Sequence, residues 1–194
     1  MESQTTNKIA AITGHTAGIG KAIAHNLELA GYEIRGFSRS NGYDISTKAN
    51  TIVRSVLGSD VFVNNAHHGL VQCSLFSAVY REWKHCAEKT IVNMLSMAKF
   101  IRPHSTGTLY TAEKAGLEVL SKQAMLEHDR HCRIINLNPS YVRTPRVAHV
   151  GDSVPMLTVT ECSDIVCWAI LQPQHIEISE LTFGVLPTHT EDQK

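Results

Sequence analysis

Short apolar runs alternate with longer amphipathic stretches along the whole chain. The short runs predict β-strands at residues 8–13, 32–38, 60–64, 90–95, 133–138 and 180–186, with a seventh, very short one at 43–45. The amphipathic stretches predict helices over residues 18–30, 47–57, 74–88, 109–129 and 160–171. Because strands and helices alternate, we expect an α/β fold: a doubly wound, mostly parallel, Rossmann-like sheet of about seven strands with helices on both faces.

Composition narrows the kinds of protein that this fold could be. The 194 residues are 43% hydrophobic and 19% charged, so we expect a single domain over residues 1–194 with polar tails at about 1–7 and 188–194. Lys plus Arg and Asp plus Glu both number 18, a balance that disfavours a nucleic-acid or membrane-surface binder. No apolar stretch is long enough to span a membrane, and the first residues do not resemble a secretory signal. Five cysteines without a CxxC pair indicate reduced thiols, so we expect a cytoplasmic protein.

A glycine-rich turn, TGHTAGIG, follows the first predicted strand at residues 13–20. Gly14 permits a tight turn, Gly18 lets the backbone approach a pyrophosphate, and Gly20 lets the next helix pack against the strand. The start of that helix offers free N–H groups and a partial positive charge to phosphates. The strand before and the helix after the turn favour a dinucleotide site over a glycine-rich turn without a ligand.

The TGxxxGIG spacing resembles the short-chain dehydrogenase/reductase family, and three further segments carry the resemblance in family order. Asn64-Asn65-Ala66 is similar to the family's NNAG, residues 110–114 match its YxxxK, and residues 138–145 are similar to its NPGxVxT. The resemblance runs from Lys8 to about Leu186 and implies an enzyme that transfers hydride between nicotinamide and a small carbonyl or alcohol substrate. It implies cofactor contacts from His15, Ile19, Asn65, Ala66, Tyr110, Lys114, Pro139, Val142 and Thr144, besides the three loop glycines.

The end of the second strand predicts which dinucleotide is preferred. In the resembled family an acidic residue there selects NAD, whereas here the stretch reads Gly-Phe-Ser38-Arg39-Ser40. A guanidinium from Arg39 can clamp a 2′-phosphate, and the two serines add hydroxyl donors. We therefore predict NADP(H) over NAD(H), the alternative being a solvated surface arginine. His15 is the one basic candidate inside the glycine loop, and Asp44-Ile45 resembles the family's adenine site.

Tyr110 and Lys114 are four residues apart on a predicted helix, so they share one face. A free tyrosine has a pKa near ~10, and a neighbouring ammonium lowers that value by stabilising the phenolate. The resemblance implies that Tyr110 is the general acid and base, that Lys114 tunes it and holds the nicotinamide ribose, and that Ser96 orients the carbonyl. Ser105 is the alternative serine.

Several features depart from the resembled family. The chain is several tens of residues shorter, and we find no counterpart of the asparagine that normally supports the proton relay; Asn93 is interpreted as structural. Part of the helix that builds the usual tetramer is missing, so that tetramer is in doubt, although an oligomer remains possible. His67 and His68 follow Ala66 where glycine is usual, either as surface residues or as groups near the substrate, and no metal site is expected. A non-catalytic dinucleotide-binding protein, a redox sensor or interaction module, is the alternative function.

Overall fold

Six parallel strands form the centre of the molecule in the computed structural model, which describes residues 7–99, 108–148 and 154–186. They are β1 (Ile9–Thr13), β2 (Glu33–Phe37), β3 (Val61–Asn64), β4 (Thr90–Met94), β5 (Arg133–Pro139) and β6 (Glu180–Phe183). Their order in the sheet is β2-β1-β3-β4-β5-β6. The predicted parallel, Rossmann-like α/β fold is therefore confirmed, with six strands in place of about seven.

The strand predicted at residues 43–45 does not form. Asp44 is instead the N-cap of a helix that begins at Ile45, and its Oδ1 accepts a hydrogen bond from the backbone N–H of Ser46 at 2.9 Å. An aspartate that satisfies an orphan amide in this way favours a helix start over a strand. The stretch is apolar because Ile45, the first residue of this helix, is buried in the hydrophobic core.

In the part of the chain that the structure describes, five α-helices cover the sheet. They are α1 (Gly18–Leu29), α2 (Ile45–Val56), α3 (Val71–Trp83), α4 (Thr108–Met125) and α5 (Val159–Leu171). Helices α1 and α5 pack together on one face, while α2, α3 and α4 lie on the other. Alternate residues of β1 divide between the two cores, Ala10 and Ile12 on the first side and Ala11 on the second. Both faces are buried, which explains why the strands read as nearly continuous apolar runs.

The sheet order creates a point where the chain reverses direction across the sheet. The chain passes from β1 to β2 on one side and then returns to β3 on the other side of β1. Ligands of doubly wound sheets bind outside the carboxyl ends of the strands at such a point. The glycine loop follows β1, Ser38 follows β2, Asn65 follows β3 and Ser96 lies just beyond β4, so the predicted site residues gather at this edge.

Three buried asparagines cross the middle of the sheet. Asn64, Asn93 and Asn136 are register partners on β3, β4 and β5, and each is fully buried. The Nδ2 of Asn64 donates to Oδ1 of Asn93 at 3.2 Å, and the Nδ2 of Asn93 donates to Oδ1 of Asn136 at 3.1 Å. Asn136 then donates to the Ser121 hydroxyl on α4 at 2.8 Å. We call this row the asparagine ladder; it gives buried amides partners and agrees with a structural role for Asn93.

Candidate active site

The glycine loop adopts the conformations that its sequence predicts. Gly14 and Gly18 have positive φ angles of 74° and 52°, which favour glycine. A Cβ on Gly20 would lie 2.2 Å from the carbonyl oxygen of Gly14, so only glycine lets α1 start this close to the end of β1. The N-cap residue Ala17 provides no side-chain hydrogen bond, and the first turn of α1 holds no acidic residue. The helix start therefore fits a phosphate of a dinucleotide.

The ends of β1 and β3 are tied together by Thr13. Its Oγ1 accepts hydrogen bonds from the backbone N–H groups of Asn65 at 2.9 Å and Ala66 at 3.0 Å. The Asn65 amide Nδ2 in turn donates to the Thr13 carbonyl at 2.9 Å. A Cβ on Gly14 would lie 3.0 Å from that Nδ2, so the turn and Asn65 fit closely. These bonds place Asn65 and Ala66 beside the glycine loop.

Three hydroxyl groups converge at the tip of β2. Ser38 and Ser40 lie within hydrogen-bond distance, with Oγ atoms 2.9 Å apart, and the Ser40 hydroxyl donates to Thr16 Oγ1 at 3.4 Å. Arg39 stands between the two serines with an exposed side chain. Thr16 was not predicted, although its place inside the glycine loop was a signal that could have found it. The loop and the β2 tip therefore form one polar surface.

The other two predicted residues on this side lie differently. The His15 ring rests on Gly36, where a Cβ would come within 2.1 Å of its Cδ2, and its Nδ1 is buried without a hydrogen-bond partner in the described part of the chain. His15 therefore lies under the loop, and Thr16 reaches the β2 tip. Asp44 is engaged by Ser46, whose hydrogen bonds hold the pKa of the carboxyl below its ordinary value.

Tyr110 and Lys114 lie on one side of α4, as the four-residue spacing predicts. The Lys114 Nζ is 5.6 Å from the centroid of the Tyr110 ring. Lys114 is almost completely buried, and this burial lowers its pKa to about 7. The lysine therefore lies against the tyrosine in a place where water does not screen its charge.

Two neutral acceptors hold the Lys114 ammonium group. Its Nζ donates to Oε1 of Gln72 at 2.7 Å and to the Met94 carbonyl at 2.6 Å. Gln72 is itself buried on α3, and its Nε2 donates to the Asn64 carbonyl at 2.7 Å, beside the asparagine ladder. Since an ammonium has three donors, one N–H remains for another partner. Gln72 was not predicted, because it lies 42 residues from Lys114 in the sequence and belongs to no recognised motif.

Ser96 lies just beyond β4, at the start of a short turn that packs on α4. Its Oγ accepts a hydrogen bond from the backbone N–H of Ala98 at 3.1 Å. The Thr111 hydroxyl donates to the Ala98 carbonyl at 2.9 Å, which joins this turn to the helix that carries Tyr110. Ser105, the alternative serine, lies outside the described residues.

A charged cluster surrounds the other sides of the Tyr110 ring. His67 contacts the ring edge-on with centroids 4.8 Å apart, and its Nε2 is 2.6 Å from Oε2 of Glu113. Arg146 donates from Nη2 to Nδ1 of His67 at 3.1 Å, and its Cζ lies 5.1 Å from the Tyr110 ring centroid. Burial lowers the pKa of His67, so the neutral ring accepts from Arg146 and donates to Glu113. Glu113 and Arg146 were not predicted, although Glu113 is three residues from Tyr110 and so had to share its side of the helix.

The segment after β5 completes this edge of the sheet. Pro139 ends β5, Val142 is buried, and a Cβ on Gly18 would lie 3.4 Å from Cγ2 of Thr144. Thr144 therefore contacts the glycine loop from the opposite side. Ser140 stands where the family has glycine, and its hydroxyl occupies the space that a Cβ on Gly184 would need.

Comparison with known proteins gives a result consistent with the fold and with the geometry of this site. The family described as short chain dehydrogenase matches residues 60–154. An uncharacterised oxidoreductase of Staphylococcus epidermidis is 24% identical over 93% of this chain and 98% of its own length. An alcohol dehydrogenase of Thermococcus sibiricus, solved with 5-hydroxy-NADP, has a TM-score of 0.79 at 20% identity, covering 95% of this chain and all of that one. The chain is therefore similar to the short-chain dehydrogenase/reductase family, by sequence over residues 60–154 and by fold over most of its length.

Taken together, these similarities indicate an oxidoreductase that uses a nicotinamide dinucleotide to interconvert alcohol and carbonyl groups. It leaves the choice of dinucleotide open, since the 3-ketoacyl-(acyl-carrier-protein) reductase of Brucella melitensis was solved with NADH. That structure has a TM-score of 0.77 at 19% identity and covers 91% of this chain and 96% of its own. The polar surface at the β2 tip is therefore the local feature that bears on the preference.

Two kinds of feature, a metal site and a membrane-spanning helix, are absent from the described residues. In the described residues, no three His, Cys, Asp or Glu side chains come together as a metal site. Across the same part of the chain, no helix has both the length and the apolar character needed to cross a membrane. The side chains around Tyr110 come from the segment after β3, from α4 and from the 3₁₀ helix after β5.

Proposed function

We propose that this protein is an NADP(H)-dependent carbonyl reductase or alcohol dehydrogenase in which Tyr110 is the general acid and base. The observation that carries the proposal is the buried Lys114 ammonium group beside the Tyr110 ring. A binding protein needs no such pair, because holding a dinucleotide requires neither a proton donor nor a buried charge behind it. The alternative of a non-catalytic dinucleotide-binding protein is therefore disfavoured.

The reaction divides into a hydride step and a proton step. The glycine loop and the residues at the β2 tip would hold a nicotinamide dinucleotide, which would supply hydride to the carbonyl carbon or accept it from the alcohol carbon. Tyr110 gives its hydroxyl proton to the carbonyl oxygen as that oxygen gains negative charge, and Ser96 orients the same oxygen with its hydroxyl. The product is the alcohol and the tyrosine is left as phenolate, which regains a proton from solvent.

Lys114 supports the proton step from its place beside the Tyr110 ring. Its ammonium charge favours the phenolate, and the low dielectric around it strengthens that interaction. Gln72 and the Met94 carbonyl accept hydrogen bonds from two of the three N–H groups of the Lys114 ammonium. The third N–H fits a ribose hydroxyl of the cofactor. Gln72 takes part by holding the lysine.

The β2 tip supports NADP(H) as the preferred cofactor. Arg39 is exposed between Ser38 and Ser40, and Thr16 adds a third hydroxyl from the glycine loop. A 2′-phosphate accepts hydrogen bonds from all four groups, whereas a bare ribose hydroxyl gains little from a guanidinium.

We also infer a cytoplasmic location, which the five free thiols support, because a reducing compartment keeps them unpaired.

The test is turnover by the Tyr110→Phe variant with a panel of aldehydes and ketones. We expect loss of general-acid catalysis to lower kcat by about 10²- to 10⁴-fold while reduced-nicotinamide fluorescence shows unchanged NADPH binding. Full turnover by the Tyr110→Phe variant would contradict the proposal that Tyr110 is the general acid and base. Absence of turnover by the native protein, despite tight NADPH binding, would favour the non-catalytic alternative.

Cofactor preference is tested by the same fluorescence titration with NADPH and NADH. We expect tighter binding of NADPH, and we expect Arg39→Ala to weaken NADPH binding by about 10- to 100-fold with little change for NADH. Arg54→Ala, which removes an exposed guanidinium from α2, is the matched control. Equal affinities for both dinucleotides in the native protein would contradict the preference.

A further inference from the structure

Arg146 lies against the ring of the proposed proton donor, and one described hydrogen bond uses its guanidinium group. It follows Thr144-Pro145 in a short 3₁₀ helix at Pro145–Val147, and its side chain is exposed. Its guanidinium Cζ lies 5.1 Å from the Tyr110 ring centroid, and one described hydrogen bond leads from it to His67. A guanidinium has five N–H donors in a flat fork, so several still face the space beside the tyrosine.

No carboxylate of the described residues forms an ion pair with Arg146. The nearest acidic side chain in this cluster, Glu113, is engaged by Nε2 of His67 at 2.6 Å. The neutral His67 ring therefore separates the arginine from the glutamate. It holds Arg146 in place through Nδ1 without neutralising its charge.

The charge balance around Tyr110 favours an anionic substrate. The Lys114 and Arg146 cations lie 5.6 and 5.1 Å from the ring centroid, while Glu113 is the single carboxylate of the described cluster. A flat guanidinium fork matches a carboxylate through two parallel hydrogen bonds. Arg146 contacts the Tyr110 ring. A substrate whose carboxylate binds Arg146 therefore needs only a short chain between that carboxylate and the carbonyl group that meets Tyr110.

We propose that Arg146 binds the carboxylate of a short oxo acid, or of the matching hydroxy acid, whose carbonyl or hydroxyl oxygen meets Tyr110. The assignment rests on the proposed function and adds a substrate class to it. Arg146 is then the specificity residue, and His67 with Glu113 is the pair that orients it.

The experiment compares charged and neutral versions of the same substrate. The probes are 2-oxobutanoate and 3-oxobutanoate, each against its methyl ester, with NADPH as reductant. We expect the native enzyme to prefer at least one acid over its ester in kcat/KM by about tenfold or more. Arg146→Gln lowers kcat/KM for that acid by about 10- to 100-fold and changes the ester by less than about threefold. Arg143→Gln, in the same loop, is the control and keeps the preference.

A binding measurement gives the same answer without turnover. Calorimetry with the enzyme and NADP⁺ compares butanoate with butanamide, which differ in charge but hardly in shape. Arg146→Gln removes butanoate binding. The assignment is overturned if the native enzyme shows no preference for the acids, if Arg146→Gln weakens acid and ester alike, or if it weakens NADPH binding instead, because the guanidinium then serves the cofactor's phosphates.

The two proposals fail in different ways. Ester reduction that depends on Tyr110 but shows no preference for acids leaves the proposed function intact and removes the substrate class. Butanoate binding that depends on Arg146, without turnover of any carbonyl, removes the proposed function and leaves a carboxylate site.

Discussion

The two halves of the active-site edge are built by different physical means. The half formed by β1, β2 and the glycine loop relies on backbone shape and small hydroxyl groups, with Gly14, Gly18 and Gly20 in places where a side chain would strain or clash. The half formed by β4 and α4 relies on charge, with Lys114 buried among neutral acceptors. The first half is therefore vulnerable to added volume, and the second to changes in proton affinity.

Gly20→Ala is expected to have the largest effect, because it breaks the shape-dependent half. The new Cβ would meet the Gly14 carbonyl oxygen at 2.2 Å, so backbone must shift. We expect a loss of about 3 kcal/mol in the free energy of unfolding and at least a 100-fold loss of NADPH affinity. Urea unfolding and fluorescence titration measure the two effects.

Gly116→Ala is the matched control for that prediction. Gly116 is also helical, but a Cβ there would meet its nearest atom, Sγ of Cys73, only at 3.9 Å. Alanine in place of a helical glycine without a clash should raise the free energy of unfolding by about 0.5–1 kcal/mol. Destabilisation of equal size at both positions would mean that close packing at Gly20 is not what the loop requires.

Lys114→Met tests the charge-dependent half. Removal of the ammonium should lower kcat by about 10²- to 10³-fold with NADPH still bound. Because burial lowers the pKa of Lys114 to about 7, the unfolded chain binds this proton more readily than the folded one between the ordinary value of 10.5 and pH 7. The native protein thus loses stability relative to Lys114→Met as the pH falls from about 10 to about 7, and urea unfolding at several pH values measures this difference.

Lys122→Met is the control with the opposite sign. Hydrogen bonds with Glu118 and Glu180 raise the pKa of Lys122, so its contribution to stability is fully present below its ordinary value and is lost only at still higher pH. Between about pH 7 and 10 the variant and the native protein should differ by a constant amount. A constant difference for Lys114→Met as well would show that its ammonium is not buried.

Gln72→Leu should have the smallest effect, because it removes a neighbour of the lysine and leaves the lysine itself. The Leu side chain cannot accept the 2.7 Å hydrogen bond, so the charged form of Lys114 becomes less favourable. We expect the limb of the kcat/KM profile that tracks Lys114 to move to lower pH by about one unit, which lowers activity at pH 7 by about fivefold because the charged fraction falls from about a half to about a tenth. Gln123→Leu, on the exposed face of α4, is the control and should leave the profile in place.

The difference between the two halves also explains what could be predicted from the sequence. The glycine loop was predictable because its requirements are local: residues that are neighbours in the chain make the turn and start the helix. Tyr110 and Lys114 were predictable for the same reason, since four residues along a helix bring them to one side. The false strand at residues 43–45 arose because an apolar pattern of three residues cannot separate a strand from the first turn of a helix.

Gln72 and Arg146 could not be predicted, because their roles depend on contacts between distant segments. Gln72 meets Lys114 across 42 residues, and Arg146 meets His67 across 79. Neither residue belongs to a motif, and an isolated glutamine or arginine on an amphipathic stretch is typical of a solvated surface. The fold brings each one to the charged half of the site.

The asparagine ladder also has a consequence for how the sheet assembles. If β4 slipped by one residue, Asn93 would face an apolar neighbour on β5, Ile135 or Leu137, and its buried amide would lose its hydrogen bonds with Asn64 and Asn136. Misaligned sheets are thereby disfavoured relative to the native register. Gln72 forms hydrogen bonds both with Asn64 of the ladder and with Lys114. The strand register that completes the ladder therefore also positions Lys114 beside Tyr110.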